Sequence, residues 1–97
     1  MKSSYTFRAS PKDTDYQRIC RENPNARFIV VKSEGMAPLT FVRCYYHEHE
    51  TLRRLGHHPT GRIDVPPEGR PGRTWLIFEG DFSKELAPEV QTTVEVH

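Results

Sequence analysis

The sequence predicts a small α+β fold, with a mostly antiparallel sheet of four to six strands, one N-terminal helix and a short second helix. Two observations predict it. Several short segments are apolar or alternate apolar with polar residues, as strands do. One stretch, about residues 11–23, combines helix start signals with apolar residues at a spacing of three and four. The 97 residues, 35% of them hydrophobic, suffice for one domain over residues 1–97.

The N-terminal third is predicted to form a strand and then a helix. Residues 5–9 alternate apolar and polar side chains. Ser10 suits the cap position of the following helix, and Pro11 suits its first turn. The Asn-Pro-Asn sequence at residues 23–25 ends that helix.

The middle of the chain is predicted to form a hairpin and a short helix. Residues 27–32 are apolar on both faces, which is typical of a central strand. A Gly-containing turn joins them to a third strand at residues 39–47. Residues 48–55 follow as a short helix that ends at Gly56, with Leu52 and Leu55 as its apolar anchors.

The C-terminal part is predicted to add strands and a long loop. Ile63 and Val65 favour a short edge strand, residues 66–72 a loop, and residues 74–79 a strong strand. Residues 90–96 alternate as a half-exposed final strand. Because both weak strands are expected at sheet edges, a homodimer formed by edge pairing is a further expectation.

Composition and charge exclude several classes of protein. No apolar run exceeds four residues, so no segment spans a membrane. Residues 1–10 lack the apolar stretch of a secretory signal, so we expect a cytoplasmic chain. The formal net charge is +1, but the basic excess of residues 1–32 and 53–73 is balanced by an acidic excess elsewhere. This segregation predicts a dipolar surface that favours a charged partner.

The cysteines and histidines offer one candidate metal site. In a cytoplasmic chain Cys20 and Cys44 are expected to be reduced, buried thiols. An alternative is a small zinc-stabilised domain whose ligands come from Cys44, His47, His57 and His58, which are residue types that zinc accepts. The spacing lacks the two opposed ligand pairs of established zinc sites, so the leading expectation is no cofactor.

No set of residues in the sequence indicates catalysis. The chain contains no nucleophile elbow, phosphate-binding loop or dinucleotide fingerprint. Cys44 and His47 would point to opposite faces of a strand, so they would not form a nucleophile and base. We therefore expect a protein that is not an enzyme.

A cluster of arginines and aromatic residues predicts the partner-binding surface. Arginine, tyrosine and tryptophan are the residues that most often dominate protein interfaces. The sequence thus predicts stoichiometric docking on a protein partner, in an accessory or inhibitor role such as small phage and mobile-element proteins have. An alternative is a nucleic-acid-binding module that uses the Arg-rich loop at residues 53–73. The predicted contact residues are Arg53, Arg54, Arg62, Arg70, Arg73, Trp75 and Tyr45.

Overall fold

Six strands and two helices make up the part of the chain that the structure describes, as predicted for an α+β fold. The structure, a computed structural model, describes residues 2–5, 13–65, 73–86 and 92–96. The elements in chain order are β1 (Lys2–Tyr5), α1 (Asp13–Glu22), β2 (Phe28–Ser33), β3 (Leu39–Arg43), α2 (Glu48–Arg54), β4 (Gly61–Asp64), β5 (Thr74–Glu79) and β6 (Thr92–Val96).

The six strands form one mixed sheet in the order β1-β6-β2-β3-β5-β4. The pairs β2–β3, β3–β5 and β4–β5 are antiparallel, so most of the ladder is antiparallel as predicted. The β6 strand runs parallel to both β1 and β2. β2 is central, in agreement with its apolar character on both faces.

Each face of the sheet carries its own apolar core. On one face α1 packs Ile19 and Cys20 against the sheet. On the other face α2 contributes Leu52, and the turn after β5 contributes Phe82. The sheet therefore lies between α1 on one side and α2 with this turn on the other. The sheet residues of the α1 face include Ile29, Val31, Phe41, Ile63, Trp75 and Val94, and those of the α2 face are Phe28, Val30, Val42 and Phe78.

Three predicted boundaries differ from the structure. The first strand covers Lys2–Tyr5 and not residues 5–9; residues 6–10, with the proposed cap Ser10, and Pro11 lie outside the described residues. The third strand ends at Arg43, because the chain turns there and Tyr46 N donates to the Arg43 carbonyl. Leu55 is not a core anchor. It is 55% exposed, because α2 ends at Arg54 and the chain turns at Gly56.

The prediction that the two weak strands lie at sheet edges is right for β4 and wrong for β6. β4 is an edge strand, but β6 lies inside the sheet between β1 and β2. At β4, Gln17 Nε2 of α1 donates to the Asp64 carbonyl oxygen at 2.9 Å, which covers part of the edge. β6 therefore has no free edge for pairing with a second chain, and a chain that paired with β4 would compete with Gln17. None of the helices in the described residues is long and apolar enough to cross a membrane.

Candidate binding surface

The predicted contact arginines do not form one group. Arg53 and Arg54 are exposed on α2, and Arg62 is exposed on β4. Arg73 lies beside Arg43 on the other side of the sheet; burial lowers the Arg43 pKa most, and the Arg73 charge adds to that lowering. Arg70 lies outside the described residues.

Trp75 is a core residue, so its predicted role in partner contact is wrong. It is 1% exposed and belongs to the core of the α1 face. The guanidinium of Arg43 covers its ring, with Cζ 4.6 Å from the ring centroid. The segment 74–79 is apolar on both faces, which is itself a sign of a strand covered on both sides, and Trp75 and Phe78 of β5 are buried.

Tyr45 is exposed, and its ring packs against the ring of Tyr46. Its side chain is 66% exposed, and its ring meets that of Tyr46 edge-on with centroids 5.2 Å apart. The guanidinium of Arg27 lies over the Tyr46 ring, with Cζ 4.5 Å from the ring centroid. Arg27 Nε lies 2.6 Å from Glu48 Oε1, and the Glu48 side chain is only 8% exposed. This chain of contacts holds the turn between β3 and α2 in place.

The Arg27–Glu48 contact is an ion pair without an aligned hydrogen bond. Arg27 Nε and Glu48 Oε2 are both buried and have no hydrogen-bond partner among the described residues. The contact therefore places two opposite charges next to each other, but it leaves Arg27 Nε and Glu48 Oε2 without hydrogen bonds to the described residues. A buried pair of this kind contributes more to geometry than to net stability.

Two arginines affect the pKa of Cys44, the residue that precedes Tyr45 in the chain. Its thiol is half-buried, and burial raises its pKa. The charges of Arg62 and Arg53 oppose this effect, and the charge of Asp64 adds to it. Tyr45 is the next residue along the chain. We call the exposed side chains of Tyr45, Arg53 and Arg62 together the Tyr45–Arg53 surface.

The arginines around this surface differ in how far their charge is already paired. Arg62 Nε donates to both carboxylate oxygens of Asp64 at 3.1 Å, and these hydrogen bonds hold the pKa of Asp64 below its ordinary value. Arg54 Nη2 lies 3.7 Å from Glu50 Oε2. Arg53 has no ion pair or side-chain hydrogen bond with any residue that the structure describes.

Charge is also divided between the two ends of the sheet. The arginine end, where β2 and β5 begin and β3 ends, carries Arg27, Arg43 and Arg73. The opposite, acidic end carries Glu34, Glu79 and Asp81, together with Lys32, whose Nζ lies 3.9 Å from Asp81 Oδ2. Since Tyr45 follows directly after β3, the Tyr45–Arg53 surface lies at the arginine end.

The residues of the zinc alternative are not assembled as a ligand set. Within residues 13–65, 73–86 and 92–96, no three His, Cys, Asp or Glu side chains lie close enough to hold a metal ion. His57 packs against Phe82 with ring centroids 4.4 Å apart. His47 is exposed at the start of α2, and His58 is exposed after its end.

Two features of this region escaped the sequence analysis. Leu55 is an exposed apolar side chain at the end of α2. Gly56 directly after it is the residue in the sequence that indicates that the chain leaves the core there. The support of Tyr45 by Tyr46, Arg27 and Glu48 joins residues that are too far apart in sequence for any pattern to indicate.

Comparison of the chain with protein-family models, curated proteins and solved structures finds no match.

Proposed function

We propose that this protein is a non-enzymatic binding protein that docks stoichiometrically on a protein partner. Its role would be that of an accessory protein or inhibitor, as found among small proteins of phages and mobile elements. The observation that carries the proposal is Tyr45, which is 66% exposed in the turn that leads into α2, the helix that carries the exposed Arg53. Tyrosine and arginine are the residues that most often dominate the binding energy of protein interfaces.

The support beneath Tyr45 favours binding further. An exposed aromatic ring that is already held in place loses little conformational freedom when a partner covers it. Tyr46 and Arg27 provide that support. The free thiols Cys20 and Cys44 are consistent with a reducing compartment, so we place the interaction in the cytoplasm.

The charge distribution favours a protein partner over nucleic acid. A nucleic-acid groove binder normally presents a broad excess of positive charge. Here Arg62 and Arg54 are paired with acidic residues, and the acidic end of the sheet would repel phosphates. A partner surface of mixed apolar and acidic character fits the Tyr45–Arg53 surface better.

The test is capture of partners with the purified chain and its variants. We expect one protein partner at a fixed ratio, and we expect Tyr45→Ala to weaken its binding at least about tenfold. The double variant Glu34→Ala/Glu79→Ala, at the acidic end, is the matched control and should bind as the wild type does.

Two results would contradict the proposal. In one, Tyr45→Ala and Arg53→Ala both leave partner binding unchanged, which would show that the surface lies elsewhere. In the other, the captured material is RNA or DNA and its affinity falls steeply with added salt, which would favour the nucleic-acid alternative.

A further inference from the structure

We propose that the ion pair between Arg27 and Glu48 positions Tyr45 for the partner and adds nothing to the net stability of the fold. Arg27, Tyr46 and Glu48 are positioning residues, which act on the partner only through the ring of Tyr45. This inference rests on the proposed function. Arg27 and Glu48 lie far apart along the chain, so no sequence pattern connects either residue with binding.

The first argument is a continuous series of contacts that leads from Glu48 to Tyr45. Glu48 Oε1 lies 2.6 Å from Arg27 Nε, and Arg27 Cζ lies 4.5 Å from the centroid of the Tyr46 ring. The Tyr46 ring meets the Tyr45 ring edge-on, with centroids 5.2 Å apart and an angle of 82° between the planes. At the end of this series Tyr45 is 66% exposed. A change at Glu48 can therefore reach the exposed ring through side chains that touch one another.

The second argument is that the backbone around Tyr45 is already fixed. Cys44 N donates to the Thr74 carbonyl oxygen at 2.9 Å, and Tyr46 N donates to the Arg43 carbonyl oxygen at 3.3 Å. These hydrogen bonds lie on both sides of Tyr45, so the freedom that remains at this residue is that of its side chain. Contact with Tyr46 restricts that side chain, and a restricted ring loses less conformational entropy when a partner covers it.

The third argument is the environment of the ion pair itself. The Glu48 side chain is 8% exposed and that of Arg27 is 36% exposed, so the carboxylate carries the larger loss of hydration. Arg27 Nε and Glu48 Oε2 are also buried without a hydrogen-bond partner among the described residues. A pair with unsatisfied atoms does not fully offset the lost hydration of its charges. Apolar side chains of similar size would therefore stabilise the fold at least as well, and what the charged pair contributes is geometry.

The test compares the double variant Arg27→Met/Glu48→Leu with the wild type. This variant removes both charges at once, so no unpaired buried charge is left to unfold the chain. We expect its urea unfolding midpoint to be no lower than that of the wild type. In NMR spectra, the Tyr46 ring shifts the ring-proton signals of Tyr45 in the wild type. In the double variant these signals should move towards their positions in the unfolded chain.

The affinity for the partner protein that capture identifies is the second measurement. We expect the double variant to bind about three- to tenfold more weakly, which is the loss expected when one more side chain must be ordered on binding. In a chain that already carries Tyr45→Ala, the same two substitutions should change the affinity by less than about twofold. Arg18→Met/Glu22→Leu, which removes an exposed ion pair of α1, is the matched control and should bind as the wild type does.

The outcomes separate this inference from the proposed function. A lower urea midpoint overturns the inference, because the ion pair would then stabilise the fold. Tyr45 ring signals that do not move, or an unchanged affinity, also overturn it. Equal losses of affinity with and without the Tyr45 side chain would mean that the pair acts on the partner directly, which overturns it as well. Capture of no partner protein, together with the expected movement of the ring signals, overturns the proposed function and leaves the control of the Tyr45 ring by this ion pair in place.

Discussion

The guanidinium of Arg43 lies over the ring of Trp75, with Cζ 4.6 Å from the ring centroid. The same side chain donates from Nη2 to the carbonyl oxygens of Pro24 at 2.7 Å and Asn23 at 3.3 Å. These carbonyls follow the end of α1, where helical C=O groups lack partners within the helix. One side chain thus joins β3, β5 and the end of α1.

We expect Arg43→Met to lower the free energy of unfolding by about 1–3 kcal/mol, because the carbonyls of Asn23 and Pro24 lose a charged donor and the Trp75 ring loses a cation. Urea unfolding measures the change. Arg21→Met, at an exposed site in the last turn of α1, is the control and should change stability by less than about 0.5 kcal/mol. Equal effects of the two substitutions would show that the Arg43 contacts contribute nothing.

Trp75→Phe should reduce stability without affecting partner binding. Trp75 is fully buried in the core of the α1 face, so a smaller ring leaves a cavity that costs about 1–3 kcal/mol. The affinity for the captured partner protein at 25 °C should stay within about twofold of the wild-type value. A large loss of affinity in a variant shown to be folded would restore Trp75 as a contact residue.

Ser83→Ala should destabilise the protein at neutral pH and lose that effect in acid. The Ser83 hydroxyl and backbone N–H donate to Asp81 Oδ1 at 2.7 and 3.0 Å, and these hydrogen bonds hold the pKa of Asp81 below its ordinary value. A lowered carboxyl pKa stabilises the folded state above about pH 4, and this stabilisation disappears as the pH falls through the folded-state pKa.

We expect the Ser83→Ala difference to be less than about 1 kcal/mol at pH 7, because Asp81 is exposed. The difference should shrink in urea unfolding series taken from pH 7 to pH 2. A difference that stays constant over this range would mean that the Asp81 charge is not involved.

Alkylation by iodoacetamide should distinguish the two cysteines. Cys20 is buried, and burial strongly raises its pKa, so it should react only when the chain unfolds. Cys44 is half-buried, and the guanidiniums of Arg62 and Arg53 partly offset the rise in its pKa that burial causes. Arg53→Ala should therefore slow the alkylation of Cys44 at pH 8, because the thiolate is the reactive form. Mass spectrometry follows each site, and an unchanged rate would place Arg53 farther from the thiol.

Gly80→Ala should be more harmful than Gly35→Ala. Both glycines have positive φ, 124° at Gly80 and 76° at Gly35. A Cβ at Gly80 would also lie 3.0 Å from Phe82 Cζ, whereas none of the described atoms lies within 4 Å at Gly35. We expect losses in unfolding free energy of about 3 kcal/mol at Gly80 and about 1 kcal/mol at Gly35. Similar losses at both sites would mean that Phe82 moves freely aside.

Local patterns predicted most of the elements. The apolar spacing around Ile19 and the Asn-Pro-Asn stop gave α1, and the apolar run at residues 28–31 gave a central strand. The place of β6 inside the sheet was not predictable in this way. Its alternation of apolar and polar residues is typical of a half-covered strand, and pairing partners far away in sequence leave no local mark.

The candidate surface was predicted in part. Residue type predicts contact roles for Tyr45 and Arg53, and the structure leaves both side chains exposed. Trp75 was named on the same ground, but residue type does not show which face of a strand is covered. The ion pairs of Arg54 and Arg62 distinguish them from Arg53, and these depend on tertiary geometry.

The position of β6 between β1 and β2 has a consequence for synthesis of the chain. Residues 2–5 take their place in the sheet beside residues 92–96, which are made about ninety residues later. Until that segment has left the ribosome, β2 exposes an open edge to other nascent chains. The last pairing joins parts of the chain that are far apart in sequence, which slows folding. We therefore expect termination before residue 92 to leave the β2 edge unpaired and to yield an aggregation-prone product.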